Sequence, residues 1–141
     1  MFKIFFCIHC GFKCTATVWS TFNVNNSAQS FTPNKRFYMH SAFSRYIRPG
    51  ATFVTINNND SVAALSADGS ALTIVVRNGD TSATHNFTYD LTSLPSIGSS
   101  VQVYRTSRTE NLAQMPAVAI SNWSFTAALP PYSITTFVVP L

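Results

Sequence analysis

Acidic side chains are scarce in this chain of 141 residues: four aspartates and one glutamate, Glu110, stand against nine lysines and arginines. Glycosidic hydrolysis by paired carboxyl groups needs two of them across one bond, about 5 Å apart for retention and farther for inversion. The supply here is poor. Asp68 and Asp80 stand beside turn glycines, Asp60 closes an asparagine-rich run, and Asp90 sits near a strand end. In all four places a carboxylate ordinarily serves a turn or a cap. Glu110 lies in TSRTENLAQ between Arg108 and Leu112, a setting for an ion pair or a loop anchor. The histidines, His9, His40 and His85, are scattered, and no G-x-S-x-G elbow occurs, so a nucleophilic triad has no support either. No catalytic residue is expected.

Cysteine is confined to Cys7, Cys10 and Cys14, which leaves everything downstream without a disulfide of its own. With His9 they make a ligand-rich run, yet zinc sites join two ligand pairs across a longer loop, and CIHC lacks the C-x-x-C-H order of haem attachment. No metal and no cofactor is expected. Charged residues amount to only 10%. The net charge of +4 is uneven: residues 1–50 hold six Lys and Arg and no acid, residues 51–141 three Arg and five acids. A nucleic-acid partner would need clustered cations with interleaved aromatics on one surface, and none is expected. The apolar run at the start is too short for a membrane span, which needs about 20 residues.

That start, MFKIFFCIHCGFKCTATVWS, outlines a secretory signal peptide, although His9 and Lys13 interrupt it. Sequence unrelated to the fold, or a packed strand over Ala16–Phe22, are the other readings. Residues 20–33 are rich in Asn and Ser and without periodicity, so 1–33 reads as a leader or loop. Residues 34–50 then read as a connecting helix. Asn34 is placed to cap it, and Tyr38, Met39, Ala42, Phe43, Tyr46 and Ile47 form one apolar stripe ending at Pro49-Gly50. The stripe is wider than one neighbour covers, so Tyr38 and Met39 are expected to be exposed and to favour self-association.

Past Gly50 the period becomes two. Strands are expected at Ala51–Asn57, Ser61–Ser66, Ala71–Arg77, Ala83–Leu91, Val101–Thr106, Val118–Ser121, Trp123–Leu129 and Ser133–Val139. Asp68-Gly69 and Asn78-Gly79 offer tight turns, and Pro130-Pro131 marks a bend. The fold class is all-β: an antiparallel β-sandwich of about eight short strands over 51–141, preceded by one α-helix. Leu72, Ile74 and Val76 should share its core face. Trp123, Tyr104 and Tyr132 are the candidates for carbohydrate stacking, since a sugar's C–H face packs on an exposed ring; each also suits a core with its polar tip outward. Asn25, Asn59, Asn86 and Asn122 open N-x-Ser/Thr sequons, candidates for N-glycosylation, though 33 Ser and Thr make several sequons expected by chance.

Four segments in order carry a family resemblance: KRFYMHSAFSRYIRPGAT, VAALSADGSALTIVVRNGD, VYRTSRTENLA and LPPYSITTFVV. Over about residues 34–141 the chain resembles the C-terminal β-sandwich domain of glycoside hydrolase family 30, entered where those enzymes leave their catalytic barrel. The resemblance implies a parent of the endo-β-1,6-glucanase, galactanase or glucosylceramidase-like kind, secreted, whose acid/base and nucleophile glutamates lie in a (β/α)8 barrel. At 141 residues this chain is too short for such a barrel, which takes about 250. The expected role is a non-catalytic accessory domain packed on that barrel, as a fragment or remnant. A freestanding carbohydrate-binding module acting on β-glycan, and a hydrolase truncated by an incorrect gene boundary, are the alternatives.

Overall fold

The computed structural model describes residues 20–141, and the expectations for the leader, its cysteines and His9 lie outside them. Ten strands and one helix follow in the order β1 (Phe22–Asn25), β2 (Ser30–Pro33), α1 (Lys35–Ser44), β3 (Thr52–Val54), β4 (Ser61–Leu65), β5 (Ala71–Asn78), β6 (His85–Asp90), β7 (Ser100–Thr106), β8 (Ala113–Ala119), β9 (Ser124–Leu129) and β10 (Ser133–Pro140). Every pairing is antiparallel. One sheet has six strands in the order β3-β4-β5-β10-β7-β8; the second is the pair β6-β9, and β1-β2 form a separate hairpin.

Period-two alternation decides what each face meets. From the large sheet Ala63, Leu72, Ile74, Val76, Val101, Val103, Phe137 and Val139 turn inward against Tyr89, Leu91, Phe125 and Leu129. Tyr89, Phe125 and Phe137 bring their ring centres within 5.1–5.9 Å of one another, bridging the two sheets. The tyrosine hydroxyl reaches the buried Ser61 hydroxyl at 2.8 Å. Leu72, Ile74 and Val76 thus share the core face as expected. Thr73 and Val75, on the opposite face of the same strand, are buried too, and on that side of the sheet α1 packs against β7 and β10. There Ala42 is fully buried, and its carbonyl, one of the last in the helix, accepts the Thr136 hydroxyl of β10 at 2.9 Å. A helix end leaves such carbonyls without partners inside the helix, so the sheet supplies the cap.

Several local expectations change. Residues 20–33 form a hairpin rather than a loop, with Phe22 packed on Phe31 and on Phe37 of the helix. Asn34 occupies the N-cap position but does not cap; its amide donates to Ser20 and Asn23 and ties the hairpin to the helix. The helix ends at Ser44 instead of Ile47. Proline disfavours helical backbone at the residue before it, and Tyr46 leaves the helical path to stack on Tyr104 of β7 at 4.8 Å. Arg48 then donates to the Ser44 carbonyl at 2.9 Å. Met39 is exposed as expected, whereas Tyr38 is half-buried beside Phe37.

Asp68-Gly69 does turn β4 into β5, with Gly69 at φ +71. Asn78-Gly79, by contrast, makes no hairpin: it carries the chain across to the second sheet, where β6 pairs β9. Buried Asn78 holds that crossing, donating to the carbonyls of Ala83, Leu129 and Pro130 while accepting from the Asp80 amide. Strand β8 begins at Ala113, five residues before the expected Val118. The added stretch contains Pro116, which β8 accommodates as an edge strand.

Ile74→Ala should cost roughly 2–5 kcal/mol, since it opens a cavity between the sheets; a urea midpoint shift worth under ~0.5 kcal/mol would contradict the packing described. The Thr135 hydroxyl is buried on the core side without a hydrogen-bond partner, so Thr135→Val should gain about 1 kcal/mol in the same assay. The Asp68 carboxylate accepts the hydroxyls of Ser66 and Ser70 and the Ser70 amide. These bonds, the Ser66 hydroxyl foremost, pull its pKa down to about 2. An unfolded aspartate titrates near pH 4. The turn's contribution is therefore complete above about pH 5 and is lost as pH falls from about 4 toward 2. Asp68→Asn should lower stability at neutral pH and flatten its pH dependence in that window.

Candidate functional site

The three aromatic candidates sit in three different places. Tyr104 projects from β7 toward α1, its ring face taken by Tyr46 and its hydroxyl donating to Gln102 at 3.2 Å. Trp123 lies in the two-residue turn between β8 and β9, where Asn122 and Trp123 both have positive φ, +50 and +58. Paired bonds between Ser121 and Ser124 close the turn. Asparagine takes this backbone readily, whereas a bulky residue there is strained by about 1–2 kcal/mol. The Trp123 carbonyl accepts the Leu91 amide at 2.7 Å, anchoring the turn to the end of β6, and the ring is 40% exposed. Tyr132 lies beyond the other end of β9, so six strand residues, about 20 Å, separate it from Trp123. The three rings form no common platform.

Tyr132 is the one with chemistry around it. It holds φ +49 after Pro130-Pro131, its amide donates to the Asp80 carbonyl at 3.0 Å, and the Arg108 guanidinium lies 4.5 Å from the centre of its ring. The two face a groove of about 490 Å³ walled by the N-terminal half of α1, the β5–β6 crossing, the β7–β8 loop and the β9–β10 turn. Lys35, Arg77 and Arg108 line it together with Met39, Ser133 and Tyr132, and no acidic side chain does. Sequence reasoning named Tyr132 alone of this set. The cations come from positions 35, 77 and 108, and nothing in their local sequence marks them as neighbours.

Each acid has a structural occupation. Glu110 pairs with Arg105, not with the adjacent Arg108, through two bonds of 2.6 Å, and accepts the Ser107 hydroxyl at 2.7 Å. The hydrogen bonds from Arg105 hold its carboxyl below the usual glutamate range. Asp80 accepts the amides of Ala83 and Ser82, with His85 at 3.3 Å, and is held well below the usual range. Asp90 is lowered by the Thr92 amide, and Asp60 meets Arg77 at 2.9 Å. A general acid for glycoside cleavage needs a raised pKa, whereas Asp68, Asp80, Asp90 and Glu110 are all lowered. Nor do three or more His, Cys, Asp or Glu gather into a metal site among them. No described helix is long and apolar enough to cross a membrane. Asn25, Asn59, Asn86 and Asn122 are all exposed, though the Ser61 hydroxyl of the second sequon is buried against Tyr89.

No family model matches the chain. A glucuronoxylanase of Bacillus subtilis (strain 168), XynC, is 30% identical over 112 residues, 77% of this chain but 26% of that protein. In structure, the endoxylanase of family 30 from Clostridium papyrosolvens C71 superposes with a TM-score of 0.67 at 33% identity, over 78% of this chain and 28% of its own. A family 30 subfamily 8 xylanase from Clostridium acetobutylicum shares the fold with a TM-score of 0.68 at 24% identity, over 83% and 30%. The chain thus spans between a quarter and a third of the length of these relatives. They are named as xylanases, not as the β-1,6-glycanases or glucosylceramidases that the resemblance had implied. In sequence and in fold, this chain is a C-terminal β-sandwich domain of glycoside hydrolase family 30.

Proposed function

We propose that the chain acts as the non-catalytic accessory domain of a xylan-hydrolysing enzyme, seated against a (β/α)8 catalytic barrel. The observation that carries this reading is the combination of coverage and chemistry. The match takes in most of this chain and under a third of each xylanase, while every described carboxylate that departs from its usual pKa is lowered. A polymer such as xylan is met outside the cell, so an extracellular location goes with the proposal.

The seat for the barrel is the apolar surface next to α1. Phe22, Val24 and Phe31 of the hairpin are exposed, as is Phe43 of the helix. Phe22 also contacts Phe37, which makes hairpin and helix one aromatic ridge. Exposed apolar patches of this kind mark contact surfaces. A self-associated dimer would use the same ridge, and the barrel is the occupant favoured by the relatives' greater length.

The purified chain should release no reducing ends from glucuronoxylan, and Glu110→Gln should leave that blank unchanged; turnover abolished by this substitution would refute the non-catalytic role. For the barrel, the chain should replace the matching domain of the Clostridium papyrosolvens endoxylanase and keep the chimera folded. Phe31→Ser in that chimera should lower its melting temperature while leaving the isolated chain's sandwich almost untouched. Equal melting temperatures for the two chimeras would remove the ridge from the interface.

A further inference from the structure

We infer that the groove under Tyr132 is a binding site for carboxylated sugar units, the uronic-acid substituents of a xylan chain, separate from the ridge that seats the barrel. The inference rests on the xylan reading above for its choice of polymer. Its geometry stands on the groove alone.

Three observations that have no structural explanation elsewhere converge there. Tyr132 keeps a left-handed backbone, φ +49, that costs a non-glycine residue about 1 kcal/mol or more and that tends to persist at functional sites. Its ring nevertheless stays 43% exposed. Arg108 is exposed and forms no ion pair among the described residues; its guanidinium is instead held over the Tyr132 ring at 4.5 Å. Met39, an apolar residue 44% exposed on the helix, lines the same groove.

The chemistry of the lining selects the ligand. Stacking uses the face of a guanidinium and leaves its N–H edge free, so Arg108 is pre-organised for a two-pronged bond to a carboxylate. Lys35 has three donors, two of them on the Glu110 carbonyl and Asn111 Oδ1, and Arg77 is partly neutralised by Asp60. The local field is therefore positive with no acid in the lining, which favours an anion over a neutral sugar. Tyr132 and Met39 offer apolar surface to the C–H face of a pyranose ring. The volume, about 490 Å³, lies within the range of small-ligand sites. None of the groove's lining residues belongs to the exposed ridge of Phe22, Val24, Phe31 and Phe43.

The test is isothermal titration of the whole chain, at physiological salt, with glucuronoxylan and with the same polymer after reduction of its carboxyl groups. Glucuronoxylan should bind, and reduction should weaken binding at least tenfold. Arg108→Gln and Tyr132→Asn should each weaken it at least fivefold with unchanged unfolding midpoints; asparagine tolerates the turn's backbone, so loss of fold is controlled. Absence of binding, equal binding of the reduced polymer, equal binding of dextran sulfate as a plain polyanion, or two variants that bind like the parent would each overturn the site. Failure here leaves the chimera result standing, and failure of the chimera leaves this titration standing, so the two readings are separable.

Discussion

Strand β10 is buried on both of its faces, and the rest of the structure is arranged around that constraint. It lies between β5 and β7 in the middle of the six-stranded sheet. Phe137 and Val139 point into the space between the sheets, where Phe137 meets Tyr89 and Phe125. Thr136 points the other way and closes the end of α1 through the Ala42 carbonyl. A strand covered on one side would alternate polar and apolar residues. This one reads SITTFVV, with Thr136 where the helix end needs a hydroxyl and Phe137 and Val139 where the core needs volume. That buried bond, with the packing of α1 on β7 and of Tyr46 on Tyr104, fixes the helix and with it the wall that Lys35 and Met39 give the groove.

How much of this was legible in the chain depended on whether the deciding contacts are local. Alternation in ALTIVVR and its neighbours marks strands by itself, and seven of the eight strands after the helix overlap most of what the alternation marks or lie within it, β8 being the exception, with Asp68-Gly69 making its turn. The hairpin of residues 20–33 escaped because its residues are polar; aromatic packing of Phe22 on Phe31 and Phe37, not periodicity, holds it. Asn78-Gly79 looked like a hairpin turn, and only the carbonyls of Leu129 and Pro130, some fifty residues on, reveal it as a crossing between sheets. The groove was illegible for the same reason. Arg108 stacks on Tyr132 across two loops, and neither residue's neighbours announce the other.

The acids of this domain are committed to structural bonds. Asp68, Asp80 and Asp90 accept backbone amides within their own turns, and Glu110 is clamped by Arg105 and Ser107. Such bonds favour the ionised form, the opposite of what protonating a leaving group requires. Carboxylates committed this way shape loops, and in the case of Glu110 they shape the β7–β8 loop from which Arg108 reaches the groove.

The strand at the centre of the large sheet is also the latest of the ten in sequence. Until residues 133–140 leave the ribosome, β5 and β7 have no common neighbour, Phe137 is missing from between the sheets, and the end of the helix lacks the Thr136 hydroxyl that closes it. The halves β3-β4-β5 and β7-β8 can pair in the order of synthesis, but they cannot be joined before β10. Its closure waits on loops of about 60 residues to β5 and 30 to β7, the kind of distant pairing that makes folding slow and leaves unpaired edges exposed meanwhile. A sheet built this way closes in one late step, when its central strand enters between partners already made.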